Sequence, residues 1–320
     1  MGATHAAAYA DIADACVVGV FSRDAARARW VAAICQAEPV SDPATLIEDP
    51  DIDAIDVCLP SALHRSVVIP ALAAGKHVFC ESPLAFALDD ARQMRDAARR
   101  ADRLLQVGLL MRSVSAHAHV KAATMSGAYG RLLSVATWRL GSYLHPDAPD
   151  HKAHYGDPST ELMTFDFDFI QWLMGRPHRL SASAVRTEQG GPGEISALLG
   201  YDGGRHATVM ASGLMPPGSP FTAGFRALFE RAVFEQQSIF EGGPPSSRFT
   251  LVEGRAAAHA VSVPDRNPYH VELQRFVDCI QDQADPALLD VERALEALIL
   301  SEATQRALSE GHWIGSFTRP

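Results

Sequence analysis

The sequence has few cysteines and no pair of them in a metal-binding or redox spacing. Its 320 residues include five cysteines, at Cys16, Cys35, Cys58, Cys80 and Cys279, with no C-x-x-C pair. This odd and scattered set argues against a disulfide framework and against a thiolate zinc site. We therefore expect a reducing, cytoplasmic location.

Long apolar segments and an excess of basic residues are also absent. No segment approaches the roughly 20 apolar residues that span a bilayer. The first residues, Met1-Gly2-Ala3-Thr4-His5, lack the basic region of a signal peptide. Lys and Arg number 28 against 38 Asp and Glu, and the resulting net charge of −10 argues against nucleic acid and anionic membranes as partners. A small-molecule partner is the remaining expectation.

What is present is an ordinary globular composition, with 47% hydrophobic and 21% charged residues. The length predicts two domains. In the first half, apolar segments at 15–21, 54–59, 77–80 and 104–108 alternate with helical segments, including a long one at 88–101. This order predicts an α/β domain with a doubly wound parallel sheet.

The second half changes to segments that alternate apolar and polar residues, which is typical of half-buried antiparallel strands. We predict an α+β domain on an open, mostly antiparallel sheet, with the boundary near residue 111, so that the domains are 1–111 and 112–320. The predicted strands are 132–139, 181–185, 195–201, 206–211, 231–234 and 249–252, and the predicted helices are 116–125, 162–174, 269–283 and 291–310.

Several motifs resemble those of the Gfo/Idh/MocA family of NAD(P)-dependent oxidoreductases, over nearly the whole chain. Residues 2–9 resemble the end of its glycine loop, residues 51–60 with His64 its fourth-strand motif, and residues 74–85 its "GKHV..EKPLA" segment. Tyr269, Glu272 and Phe276 match the start of its closing helix. The resemblance implies a Rossmann-like domain at 1–111 and a substrate domain at 112–320, with the closing helix returning toward the first domain. It also implies a homodimer or homotetramer formed through the C-terminal sheet.

Three features depart from the family pattern. Only Gly2 remains of the glycine loop, and the first strand is missing; a misassigned start and a loss of dinucleotide binding are both open. Ser82 replaces the lysine of "EKP". On the substrate helix, Glu161, Phe165 and Asp168 stand where the family often has Asp, His and Asp. Their i, i+4, i+7 spacing predicts one shared helix face.

The resemblance implies a nicotinamide cofactor, and Ser22 with Arg23 after the second strand favours NADP over NAD, because a guanidinium suits a 2′-phosphate. An ordinary polar strand end is the alternative. His64 could also be a hydrogen-bonded helix residue, and Glu81 a structural carboxylate beside Pro83. The predicted cofactor-binding residues are Gly2, His5, Ser22, Arg23, Pro60, His64, Glu81 and Pro83.

Proton transfer requires a substitute for the missing lysine and histidine. The loop at 143–160 is rich in titratable groups, so we predict Glu161, His154 and Tyr155 as proton carriers and Ser82 as a hydrogen-bonding group. A solvated polar loop is the alternative. A metal site from His151 and His154 is disfavoured, and no metal is expected.

Arg112, Phe165 and Asp168 are the predicted substrate-binding residues, and Arg112 could instead hold the domain junction. His117 and His119 are expected on a helix surface. The predicted function is hydride transfer between NAD(P) and a sugar, polyol, cyclitol or related hydroxy or carbonyl compound. Two alternatives stay open: a redox-inactive member that performs lyase or isomerase acid–base chemistry, and a non-catalytic binding protein.

Overall fold

The computed structural model describes residues 1–148, 156–243 and 245–315, and the chain forms two compact units. Unit 1 contains Met1–Val114 and Asp265–Leu295, and unit 2 contains Ser115–Pro264 and the chain from Glu296 onward. The first boundary falls after Val114 rather than near residue 111, and residues 265–295, which include the start of the closing helix, belong to unit 1 before the chain re-enters unit 2.

The helices of the described chain follow the predicted order. Their bounds are α1 Gly2–Tyr9, α2 Ala25–Cys35, α3 Pro43–Glu48, α4 His64–Ala73, α5 Leu88–Ala101, α6 Ser115–Ser126, α7 Pro158–Glu161, α8 Met163–Met174, α9 Pro268–Ile280 and α10 Val291–Glu310. No described helix has both the length and the apolar character that crossing a membrane requires.

The strands separate into parallel ladders in unit 1 and one large sheet in unit 2. Their bounds are β1 Gly19–Phe21, β2 Glu38–Val40, β3 Ala54–Val57, β4 His77–Cys80, β5 Leu105–Val107, β6 Leu132–Leu140, β7 Arg179–Arg186, β8 Pro192–Gly200, β9 His206–Ser212, β10 Phe221–Phe229, β11 Ala232–Phe240, β12 Ser246–Glu253, β13 His259–Ala260 and β14 Ile314–Gly315.

Unit 1 has the predicted parallel α/β arrangement. β1 pairs with β2, and β3, β4 and β5 form a second parallel ladder in that order. Val78, Phe79 and Cys80 on the central strand β4 are completely buried, as expected for a strand covered by helices on both faces. The Rossmann-like parallel sheet with helices is confirmed.

Unit 2 is built on a nine-stranded sheet of order β13-β12-β11-β10-β6-β9-β8-β7-β14. The ladders are antiparallel except for β6 with β9. This confirms the mostly antiparallel second sheet. Fully buried Phe169 of α8 and Phe225 of β10 contribute to the core that helix and sheet share.

The expectation that His117 lies on a helix surface is wrong. Its side chain is only 7% exposed and packs between Phe169 and Phe225, at ring-centroid distances of 4.4 and 4.8 Å. Buried Val120 follows three positions later on α6, so His117 belongs to the inward face of that helix. His119 is half-buried, with its ring against Phe234 and Phe249.

Glu161, Phe165 and Asp168 do not belong to one continuous helix. Glu161 ends the short helix α7, whereas Phe165 and Asp168 belong to α8. The two helices are separated at Leu162, whose φ of −113° departs from regular helical geometry. The shared face of the three residues therefore stays a prediction.

Candidate functional site

The densest group of interacting titratable side chains in the described chain lies in unit 1, and we call it the His5 cluster. His5 comes from α1 and Glu272 from α9. Asp56 lies in β3, Cys58 directly follows β3, and Glu81 directly follows β4. The parallel register of β3 and β4 places Val57 beside Cys80, so the residues that follow these strands emerge at the same edge of the sheet.

His5 is the centre of the cluster, and both of its ring nitrogens have carboxylate partners. Nδ1 lies 2.8 Å from Asp56 Oδ2, and Nε2 lies 2.9 Å from Glu81 Oε1. The ring is only 2% exposed. Cys58 Sγ lies 3.3 Å from Nδ1. A histidine held on both sides by carboxylates has a fixed ring orientation.

The electrostatics of the cluster follow from burial and from the charges it encloses. Burial acts to lower the pKa of His5, but the charge and hydrogen bond of Asp56 outweigh it and raise the pKa well above its usual range. Burial also raises the pKa of Glu272 far above its ordinary value, and the charge of Glu81 adds to this effect. Burial, followed by the charge of Asp56, raises the pKa of the Cys58 thiol to about 12. The cysteine is therefore a neutral thiol near neutral pH.

Glu81 is fixed by its immediate surroundings as well as by His5. Its Oε2 accepts a hydrogen bond of 2.9 Å from the backbone N–H of Ser82. Gly108 approaches so closely that a Cβ on that residue would lie 3.0 Å from Glu81 Oε2. The Ser82–Pro83 peptide bond is cis, Ser82 is half-buried and Pro83 is buried. The turn after β4 thus holds the Glu81 carboxylate through the backbone of Ser82.

Several groups that could hold a dinucleotide directly follow strands of unit 1 or open its first helix. Ser22 and exposed Arg23 follow β1, and exposed Pro60 lies just beyond β3. Gly2 opens α1, where a Cβ would meet nothing nearer than Cys58 Cβ at 3.9 Å. The first N–H groups of a helix and an accessible guanidinium are suited to phosphate groups. The start of α1 and the Arg23 guanidinium are therefore each chemically suited to a phosphate group.

His64 connects two loops at this edge. It is 1% exposed, with Nδ1 3.0 Å from the carbonyl oxygen of Leu84 and Nε2 2.7 Å from that of Leu59. Burial lowers the pKa of His64 against the effect of these carbonyl groups. In this position the ring fastens the segment after β3 to the segment after β4.

In unit 2, Glu161 has the surroundings of a proton carrier. Its Oε1 accepts a 2.8 Å hydrogen bond from Gly156 N, and the residue is half-buried. Burial raises the pKa of Glu161, and the Gly156 hydrogen bond opposes that shift only in part. A carboxyl group with a raised pKa is suited to general acid–base catalysis. His154 and Tyr155, the other predicted proton carriers, lie outside the described residues, as does His151.

Phe165, a predicted substrate residue of unit 2, lies against a buried ion pair that the sequence did not indicate. Arg139 Nε lies 3.0 Å from Asp166 Oδ2, and the Arg139 guanidinium lies over the Phe165 ring at 4.9 Å. Asp168 is only 2% exposed. Phe165 is half-buried, so its ring contributes to the core and is also partly accessible.

Arg112 belongs to unit 1, although the sequence placed it at the start of the second domain. Its guanidinium donates a 3.1 Å hydrogen bond from Nη1 to the carbonyl oxygen of Leu288, and the residue is 7% exposed. This contact ties the end of the first segment of unit 1 to the segment that precedes α10.

Sequence reasoning named His5 and Glu81 but did not identify Asp56 and Glu272 as parts of a site. A weak signal was available for Asp56, since an acid between Ile55 and Val57 interrupts an apolar strand. The signal for Glu272 was weaker, because only its position near Phe276 on one face of α9 indicates burial.

Two family models match this chain. Residues 1–109 match an oxidoreductase family with an NAD-binding Rossmann fold, and residues 117–234 match the GFO/IDH/MocA C-terminal domain. Together these matches span more than half of the chain.

Individual relatives extend the similarity along the chain. The scyllo-inositol 2-dehydrogenase (NAD(+)) of Bacillus subtilis strain 168 is 23% identical over 277 residues, which are 82% of this chain and 78% of that protein. A levoglucosan dehydrogenase solved with NADH and levoglucosan has a TM-score of 0.80 at 21% identity, covering 98% of this chain and 95% of that one. The UDP-N-acetylglucosamine 3-dehydrogenase of Acidithiobacillus ferrooxidans has a TM-score of 0.79 at 21% identity, covering 96% and 94%. These solved structures share their fold with this chain.

Proposed function

Because the chain belongs to the GFO/IDH/MocA oxidoreductase family, we propose that it is a nicotinamide-dependent oxidoreductase. Its substrate is a sugar, polyol, cyclitol or related hydroxy or carbonyl compound. The observation that carries the proposal is that Pro60 and Glu81 follow the neighbouring parallel strands β3 and β4, in a domain that matches an NAD-binding model. Open parallel sheets bind nucleotides at the carboxyl ends of their strands.

The cofactor, when bound, supplies or accepts the hydride, and side chains of this protein handle the proton. Glu161 is the group best suited to that task, since its raised pKa keeps a proton available closer to neutral pH. The Ser82 hydroxyl can donate a hydrogen bond but carries no charge. His154 and Tyr155 remain proposed proton carriers, and Arg112, Phe165 and Asp168 remain proposed substrate residues.

We propose a preference for NADP over NAD at the end of β1. Arg23 is exposed there, and the Ser22 hydroxyl oxygen accepts a 3.3 Å hydrogen bond from Asp24 N, in the turn where Asp24 caps α2. A guanidinium next to a hydroxyl group favours a ribose 2′-phosphate. A charge-assisted hydrogen bond contributes about 1.5–3 kcal/mol, which corresponds to roughly a 10- to 100-fold change in affinity.

Fluorescence titration of the full chain with NADPH and NADH tests whether a nicotinamide cofactor binds and whether NADP is preferred. We expect NADPH to bind more tightly, and Arg23→Ala to weaken NADPH binding at least about tenfold while leaving NADH binding nearly unchanged. Arg29→Ala is the matched control, since Arg29 is an exposed arginine of α2. Tighter binding of NADH, unaltered by Arg23→Ala, would contradict the NADP preference alone.

Turnover assays with inositols and aldoses, read through the absorbance of the reduced nicotinamide, test the redox reaction itself. The oxidoreductase proposal would be overturned if neither NADPH nor NADH bound at millimolar concentration and no turnover were seen. The acid–base alternative would then be favoured, because Glu161 could serve a lyase or isomerase equally well.

We also propose that the protein is a homodimer or homotetramer formed through the unit 2 sheet. Met210 and Leu228 are exposed apolar residues on strands β9 and β10, and the strand register places both on the same face of that sheet. An exposed apolar sheet surface is typical of a subunit interface. A monomer in light scattering would contradict this assignment. A cytoplasmic location remains a prediction from the cysteine content.

A further inference from the structure

Glu272 is a deeply buried carboxylate whose two oxygens have no hydrogen-bond partner among the described residues. Only 1% of the residue is exposed. Leaving a buried acceptor without a partner costs about 1–3 kcal/mol, and more when the group is charged. A buried carboxylate in this situation requires either a bound proton or a cation close to it.

Two side chains close to Glu272 are metal ligands by chemical type. His5, Glu81 and Glu272 each offer one ligand atom, and these three atoms all lie within 4.8 Å of one another. We propose that the three residues bind one divalent first-row transition-metal ion, at a site beyond the dinucleotide-binding role proposed above.

The contact between His5 and Glu81 needs little adjustment to accept the ion, and the ligand atom of Glu272 lies within 4.8 Å of both. His5 Nε2 and Glu81 Oε1 are now 2.9 Å apart. Bonds of about 2.0–2.2 Å at a tetrahedral angle require a separation of about 3.4 Å between two ligand atoms. An opening of about half an ångström, which a side-chain rotation can supply, therefore admits the metal between the ring and the carboxylates.

Asp56 supplies the outer contact that a metal-binding histidine requires. Its Oδ2 lies 2.8 Å from His5 Nδ1, on the side of the ring opposite Glu81. In a metal-bound site this contact keeps a proton on Nδ1, so that Nε2 is the coordinating atom. The proton in the present 2.9 Å contact between Nε2 and Glu81 Oε1 is released when the ion binds.

A second possible ligand set, His5 with Asp56 and Cys58, is less suitable. Its nitrogen would have to be Nδ1, which already has Asp56 as its partner. The set with two glutamates instead provides the partner that Glu272 lacks. One imidazole and two carboxylates suit Zn²⁺, Mn²⁺ or Fe²⁺.

The test uses the full-length chain, stripped of metal by dialysis against a chelator and then titrated with Zn²⁺ by calorimetry. The expected result is one equivalent of Zn²⁺ bound at micromolar concentration. Glu272→Gln keeps the shape of the side chain and should abolish this binding, and Asp56→Asn should weaken it about 10- to 100-fold. Glu302→Gln, which changes an exposed carboxylate of α10, is the matched control and should bind as the unaltered chain does.

Two outcomes overturn the proposal. The first is no stoichiometric Zn²⁺ in the unaltered chain, which would leave Glu272 as a protonated carboxyl. The second is equal binding by the unaltered chain and a folded Glu272→Gln variant, which would place the ion elsewhere on the surface. If Glu272→Gln does not fold, the absorption spectrum of Co²⁺ bound to the unaltered chain tests the site instead. A spectrum typical of six oxygen ligands and no nitrogen ligand would also overturn the proposal. Because metal content is the readout, failure here leaves the oxidoreductase proposal untouched.

Discussion

The burial of His117 predicts a loss of stability in mild acid. Burial lowers the pKa of His117 from 6.5 to about 3, and the charge of Arg139 acts in the same direction. Its ring is enclosed by Phe169 and Phe225, and Nδ1 has no hydrogen-bond partner among the described residues. The native state therefore holds the neutral ring, whereas the unfolded chain binds a proton below about pH 6.5.

The sign and size of the effect follow from linkage. A group whose pKa is depressed by folding stabilises the native state fully above its unfolded pKa and loses that contribution as the pH falls toward its folded pKa. From pH 8 to pH 5, the His117 contribution should fall by about 2 kcal/mol. Asp166 acts in the opposite direction, because burial raises its pKa to about 6 despite Arg139, and its stabilising effect is present at low pH and lost as the pH rises through 6.

The effect of His117 on stability is separated from that of Asp166 by comparing the unaltered chain with a variant that lacks His117. We would measure the free energy of unfolding in urea at pH 8 and pH 5 for the unaltered chain and for His117→Leu. Tryptophan fluorescence is a suitable signal, since Trp138 and Trp172 both belong to unit 2. The unaltered chain should lose about 2 kcal/mol more than the variant over this interval. His119→Leu, on the same helix, should keep the pH dependence of the unaltered chain.

Equal pH dependence in the unaltered chain and His117→Leu would refute the reasoning. It would mean that His117 takes up its proton in the native state without disturbing the core. A similar change in His119→Leu would refute the assignment to His117 in particular.

Two further predictions concern the candidate sites. Glu161→Gln keeps an acceptor for Gly156 N but removes the acid. Steady-state kinetics should therefore show kcat lower by about 10²- to 10⁴-fold, and titration should show unchanged cofactor affinity. Glu253→Gln, on an exposed strand end, is the control, and an equal kcat for both variants would exclude Glu161 from proton transfer. Gly108→Ala places a methyl group 3.0 Å from Glu81 Oε2 and should lower the free energy of unfolding by about 1–3 kcal/mol in urea titrations. Gly218→Ala, which meets open space, should change it little, and a Gly108→Ala chain as stable as that control would show that Glu81 is free to move.

The fold was largely predictable because its signals are local. The apolar segment that became β4 and the helical pattern of α10 both depend on neighbours along the chain. β10 was missed, although it lies beside the central strand β6, because Thr222 and Gly224 interrupt its apolar pattern. β2 was missed for a similar reason, since Pro39 stands in the middle of three residues.

The candidate site was less predictable because its members meet only in the folded chain. His5 and Glu81 were named from motifs, whereas the contact between them depends on how α1 packs against the strand edge. Glu272 approaches from α9, and no sequence spacing connects it with His5. The break at Leu162 was likewise hidden, because a helical pattern in sequence does not reveal where the backbone leaves helical geometry.

The return of residues 265–295 to unit 1 has a consequence for the order in which the protein can be assembled during synthesis. On the ribosome, His5, Asp56 and Glu81 emerge early, but α9 follows only after most of unit 2 has been made. Until Glu272 and its helix arrive, the early segment lacks the surface that buries His5. The His5 cluster is therefore completed late in synthesis, by a helix from the final fifth of the chain.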